Sequence, residues 1–111
     1  MSQHIVRLER EGGRGQVRVQ LGWDKPMSDF YLVVFEEPPE GQEFDEDRIV
    51  YSNLDDPNSI GKELGYFKTV AIKLGCEVPD LMWRAAYQDR DFNVVNKTVF
   101  YSQAGNIVEP F

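Results

Sequence analysis

Residues 16–23 most constrain this chain. In QVRVQLGW, Val17, Val19, Leu21 and Trp23 occupy every second position, and Gln16, Arg18 and Gln20 fill the others. Strict alternation puts one set on each side of an extended backbone, so this segment is a half-buried strand. The preceding Glu11 to Gly15 (EGGRG) holds three glycines that tolerate positive φ, as a hairpin turn requires. Before it, His4 to Arg10 also alternates, with His4, Val6, Leu8 and Arg10 on one side and Ile5, Arg7 and Glu9 on the other. The two strands are expected to pair as an antiparallel hairpin.

The remaining elements follow from the same rules. Phe30 to Phe35 is apolar on both faces, which suits a central strand or one that dimerises. Pro38 and Pro39 end it. Residues 36–47 read as a long acidic loop and 48–52 (RIVYS) as a fourth short strand. Ile60, Leu64, Phe67, Ala71 and Leu74 recur at helical steps, with Asp56, Asn58 or Ser59 as N-cap and Gly75 as a left-handed C-cap. Pro79 opens a second helix over 80–91, with Leu81, Met82, Ala85 and Ala86 inward. Residues 97–102 (KTVFYS) read as a last strand, and 103–111 as a loose tail. The order β-β-β-β-α-α-β predicts a single α+β domain: an antiparallel sheet of four to five strands with two helices on one face.

A chain of 111 residues, 41% of them hydrophobic, has room for one core. Cys76 is the only cysteine, so no internal disulfide forms and a reducing, cytoplasmic setting is expected. The N-terminus MSQHIVRLER has no apolar stretch of the secretory kind. The run Tyr31 to Phe35 is far shorter than the roughly 20 residues of a membrane helix.

Charge is the main functional clue. Residues 36–56 contain nine acids and one base, a charge of −8 against −7 for the whole chain. The acids are Glu36, Glu37, Glu40, Glu43, Asp45, Glu46, Asp47, Asp55 and Asp56, and the base is Arg48. Phosphate contacts need Lys and Arg, so direct nucleic-acid binding is not expected. An acidic surface instead suits a basic protein partner, and these nine acids are the candidate partner-binding residues. Trp83 and Tyr87, four apart on the second helix, are the candidate interface aromatics.

Other chemistry finds little support. His4, the only histidine, has no neighbouring cysteine or second histidine and reads as a solvent-facing strand residue. Cys76 follows a helix C-terminus, where the dipole disfavours a thiolate, and reads as a small buried hydrophobe. The acids do not follow calcium-loop spacing, and Gly12 to Gly15 lacks the Lys-Ser/Thr of a phosphate-binding loop. No catalytic residue, metal site or cofactor is assigned. Asp24, Asp29, Asp55, Asp56, Asp89 and Asp91 are the carboxylates from which an acid-base pair or metal site would have to be built.

Leu21 to Pro26 (LGWDKP) followed by an apolar strand, Tyr51 to Pro57 (YSNLDDP), Leu74-Gly75 with Val78-Pro79, and Asp91 with Asn93, Val94 and Asn96 form a recurring set. Over residues 16–102 the chain resembles small uncharacterised acidic proteins encoded on bacterial plasmids and integrative elements. That resemblance brings no site residues. It implies a mobile-element accessory protein, a group that includes inhibitors of nucleic-acid-binding complexes such as anti-CRISPR proteins and DNA mimics. The expected function is therefore non-catalytic binding of a basic partner. The alternatives are a homodimeric structural or regulatory accessory protein and a small enzyme or metal- or ligand-binding protein using clustered carboxylates.

Overall fold

The computed structural model describes residues 1–38, 41–45 and 47–108. Over these residues the chain is α+β, with six strands and two α-helices: β1 (Ser2–Glu9), β2 (Gln16–Asp24), β3 (Asp29–Glu36), β4 (Ile49–Ser52), α1 (Leu64–Lys73), α2 (Asp80–Asp91), β5 (Lys97–Tyr101) and β6 (Ile107–Val108). The sheet order is β4-β3-β2-β1-β5-β6. It is mixed, not wholly antiparallel, because β5 returns to pair parallel with β1. A parallel pair needs a long crossover. Here everything from β2 to α2 serves as that crossover.

Register explains the core. His4 faces Leu21 and Leu21 faces Leu32; Val6 faces Val19 and Val19 faces Val34; Leu8 faces Val17. These rows share one side of the sheet, and every side chain in them is 3% exposed or less. Leu64, Phe67 and Ala71 of α1 and Met82, Trp83 and Ala86 of α2 close over them in one hydrophobic cluster.

The first hairpin also anchors α1. Gly75 takes a φ of +75° and ends the helix as expected. Its carbonyl accepts from the Glu11 N–H at 2.8 Å, and the Arg10 Nε donates to the Leu74 carbonyl at 2.8 Å. One orphaned carbonyl at the helix end, that of Leu74, thus finds a donor, and the residue after the cap is tied to the hairpin.

Three sequence expectations change. Helix α1 starts at Leu64, not near Ile60, because residues 53–55 and 57–59 form two 3-10 turns and Gly61 takes a φ of +71°. Ile60 and Leu81, expected in the core, are 77% and 45% exposed. The tail is not loose throughout. A turn over 102–106 lets Ile107 and Val108 pair with Tyr101 and Phe100, and the tail beyond Val108 lies outside the described residues. Among the described residues no helix is long and apolar enough to cross a membrane.

Candidate protein-binding surface

The acidic segment does not form one patch. Strand β4 divides it, since β3 and β4 run antiparallel along the edge of the sheet. Residues 37, 38, 41–45, 47 and 48 lie at one end of β4, and Asp55 and Asp56 lie past the other. Four residues of strand span about 13 Å, so charge is spread along an edge and not gathered in a loop.

Several of these acids are already neutralised. Glu37 is 7% exposed. It takes Arg18 in a fork, Nε and NH2 each at 3.1 Å, and Arg7 Nε at 2.7 Å. Its backbone N–H donates to the Gln16 carbonyl at 3.0 Å. This carboxylate closes the loop onto β1 and β2 and is not available for docking. Glu36 pairs with Arg48 at 3.2 Å on the surface.

Asp56 is committed too. Its Oδ2 accepts from the Tyr51 hydroxyl at 2.7 Å and the Tyr66 hydroxyl at 2.6 Å, and its Oδ1 accepts from the Asn58 N–H at 3.1 Å. The Tyr66 and Tyr51 hydrogen bonds hold its pKa below the ordinary carboxylate value. It caps the second 3-10 turn, not α1. Among the described residues the exposed acids of the set are Glu36, which is paired with Arg48, and Glu43, Asp45, Asp47 and Asp55. Asp45 makes a local turn, accepting from the Asp47 N–H at 2.9 Å. Glu40 and Glu46 lie outside the described residues.

One aromatic holds the acidic loop down. Phe44 meets Phe35 edge-on at 5.4 Å between ring centroids, and the Arg18 guanidinium stacks 4.0 Å from its ring centre. Arg18 therefore serves both the Glu37 fork and the Phe44 stack. A lone Phe inside an acidic run was the sequence signal for this anchor.

Trp83 and Tyr87 share a face as their spacing predicts, but that face meets the sheet. Trp83 is 5% exposed, with Lys68 Nζ 6.0 Å from its ring centre. Tyr87 is half-buried, edge-on to Phe30 at 5.4 Å. Core packing uses the aromatic surface expected at an interface. Cys76 is buried, and burial raises its thiol pKa.

His4, expected to face solvent, does not. It is fully buried, because strand parity places it beside Val6 and Leu8 on the helix face. Its Nε2 lies 2.6 Å from Asp89 Oδ2 on α2, and its Nδ1 lies 2.9 Å from the Tyr101 hydroxyl on β5. Lys97 donates to Asp89 Oδ1 at 3.1 Å. Burial lowers the His4 pKa. Asp89 is held ionised by hydrogen bonds from His4, Ser2 and Lys97, which outweigh the opposing effect of burial. A neutral His4 therefore donates from Nε2 to Asp89 and accepts at Nδ1 from Tyr101. His4, Asp89 and Tyr101 are 0%, 1% and 2% exposed. They tie β1, α2 and β5 together inside the fold.

Of the carboxylates considered for acid-base chemistry, Asp24, Asp29 and Asp56 do line one cleft of about 280 Å3. Among the described residues no group of three or more His, Cys, Asp or Glu side chains is placed to hold a metal ion. The rest of the lining is mainly apolar, with Met27, Phe30, Leu54 and Ile60, and includes the polar Asn53 and Ser59. No family model, no curated protein and no solved structure matches this chain.

Proposed function

We propose that this chain is a non-catalytic protein-binding protein whose acidic edge engages a basic surface on a partner. The observation that carries the reading is the line of exposed acids, Glu43, Asp45, Asp47 and Asp55, flanking an edge strand of a sheet whose other face is filled by helices. Surface carboxylates cost little to maintain and act at a distance, so they steer and orient an encounter before contact. A partner surface that normally holds nucleic-acid phosphates presents the matching Lys and Arg field. That chemistry supports a role as an inhibitor of a nucleic-acid-binding complex. The homodimer alternative loses its aromatic anchor, since Trp83 is buried.

The test combines Glu43→Gln, Asp45→Asn, Asp47→Asn and Asp55→Asn. None of these side chains is buried, so the fold is retained. With a partner captured from the native host, the association rate is expected to fall about tenfold at low salt and its salt dependence to flatten. An unchanged rate and salt slope would sink the proposal.

A further inference from the structure

Exposed apolar side chains gather at one end of the sheet. Six of the eleven large hydrophobic residues that are exposed among the described residues are found there: Met1, Met27, Leu54, Ile60, Phe92 and Val95. At this end β1 begins, the β2–β3 hairpin turns, β4 runs out into the 3-10 turns, and α2 stops. Met27, Leu54 and Ile60 are 67%, 86% and 77% exposed, and all three line the cleft between turn 25–28 and the 3-10 turns. Single exposed apolar residues are ordinary, but several converging on one concavity mark a contact surface.

Resting on the proposed function, we infer that this cleft seats an apolar side chain from a basic, amphipathic segment of the protein partner. Charge selects that occupant. Asp24, Asp29 and Asp56 line the cleft, and Asp55 lies on the same turn as Leu54. Asp56 keeps its charge while accepting from the two tyrosines. The bases nearby are Lys25, Lys62, which leans 5.8 Å over the Tyr66 ring, and Arg90, which lies 5.2 Å over the Phe30 ring and is paired with Glu63 and Asp91. A second copy would bring these carboxylates against their own equivalents across a two-fold axis, which like-charge repulsion opposes. A segment alternating apolar residues with Lys or Arg satisfies both the cleft and its rim. The acidic loop at the far end of β4 then steers, and the cleft holds.

The probe is a short synthetic peptide alternating leucine and lysine, titrated into isotope-labelled protein while amide resonances are followed. Leucine–glutamate and serine–lysine peptides are the controls. Shifts at residues 27, 54 and 60 are expected to saturate with the leucine–lysine peptide alone. Leu54→Ser with Ile60→Ser should weaken binding about tenfold or more, as expected for losing buried apolar surface. Both side chains are exposed, so an unchanged melting curve confirms the variant's fold. Shifts confined to 41–47 would overturn the cleft inference and leave the acidic-docking proposal standing. Cleft shifts that persist when the loop acids are neutralised would support the inference even if the steering role failed. An equal response to either control peptide, no shift at any site, or self-association abolished by Leu54→Ser would each overturn it.

Discussion

Removing the Asp89 carboxylate is expected to be the most damaging single polar change in this fold. Asp89 is 1% exposed and accepts from His4 at 2.6 Å and Lys97 at 3.1 Å. Asp89→Ala leaves the His4 Nε2–H with no acceptor inside the protein, a desolvation cost of about 1–3 kcal/mol, and removes a hydrogen bond to a charged group worth about 1.5–3 kcal/mol. The Lys97 bond adds little, because that side chain is 41% exposed and its charge is screened. The sum is about 2.5–6 kcal/mol, centred on about 4 kcal/mol. Against a total stability of about 5–15 kcal/mol that is a large share. With a urea slope of about 2 kcal/mol per molar, the unfolding midpoint should drop by about 2 M. Asp89→Asn keeps an oxygen for His4 and should cost about 1–2 kcal/mol, so the difference isolates the charge.

The pH arm of the experiment has a definite sign. His4 is the only histidine, and its folded pKa lies below its ordinary value of 6.5. Below pH 6.5 the unfolded chain takes up a proton that the folded chain refuses, so stability is full above 6.5 and falls on acidification. The slope approaches about 1.4 kcal/mol per pH unit. Asp89, also shifted down, adds loss in the same direction only below its ordinary 3.8. Urea unfolding between about pH 7.5 and about pH 5.5 therefore reads His4 nearly alone. Stability that stays level or rises on acidification in that window, or an Asp89→Ala cost under about 1 kcal/mol, would refute the neutral-histidine network.

Three further outcomes follow from local geometry. Gly22→Ala places a Cβ 2.2 Å from the Ser2 carbonyl oxygen, which already accepts from Tyr31 at 2.7 Å; backbone must move, at about 1–3 kcal/mol, and calorimetry should show a melting temperature lower by about 10 °C. Phe44→Ala removes the ring held between Phe35 and Arg18, so hydrogen exchange should accelerate over 41–48 while β1 and β2 amides keep their protection. Tyr66→Phe removes the 2.6 Å hydroxyl bond to Asp56, and an NMR titration should find the Asp56 pKa moved up toward its ordinary 3.8.

Much of the fold was legible because its signals are local. Alternation in 16–23 marks β2, and the Gly75 cap and the Pro79 start bracket the loop between the helices. The errors arise where a distant partner decides the outcome. Nothing near β5 in sequence shows that it pairs parallel with β1. The heptad-like spacing of Ile60 and Leu64 suggests one helix, yet Asp56 caps a 3-10 turn and Gly61 turns left-handed before α1 begins. His4 is the most instructive case. Its parity with Val6 and Leu8 was visible, and parity alone places it in the core. A polar residue on that face needed a polar partner, and Asp89 is 85 residues away.

The same locality governs the acidic segment. A charge of −8 over 36–56 is a property of the sequence, but the field a partner meets depends on which carboxylates find bases elsewhere. The charge of Glu37 is compensated by Arg7 and Arg18, which reach it only because β1, β2 and β3 lie side by side. Glu36 meets Arg48 across the start of β4. What remains is an uneven field, strongest at Glu43, Asp45 and Asp47 and again at Asp55, with a short edge strand between. Two separated foci constrain orientation better than one, since a basic surface must match both to be drawn in. One focus lies beside exposed Leu54 and Ile60, where contact can bury apolar surface; the other lies over the Phe44 anchor, where it cannot bury much. On the proposed reading attraction and adhesion are divided between the two ends of β4, so neutralising the loop should act mainly on association and stripping Leu54 mainly on dissociation.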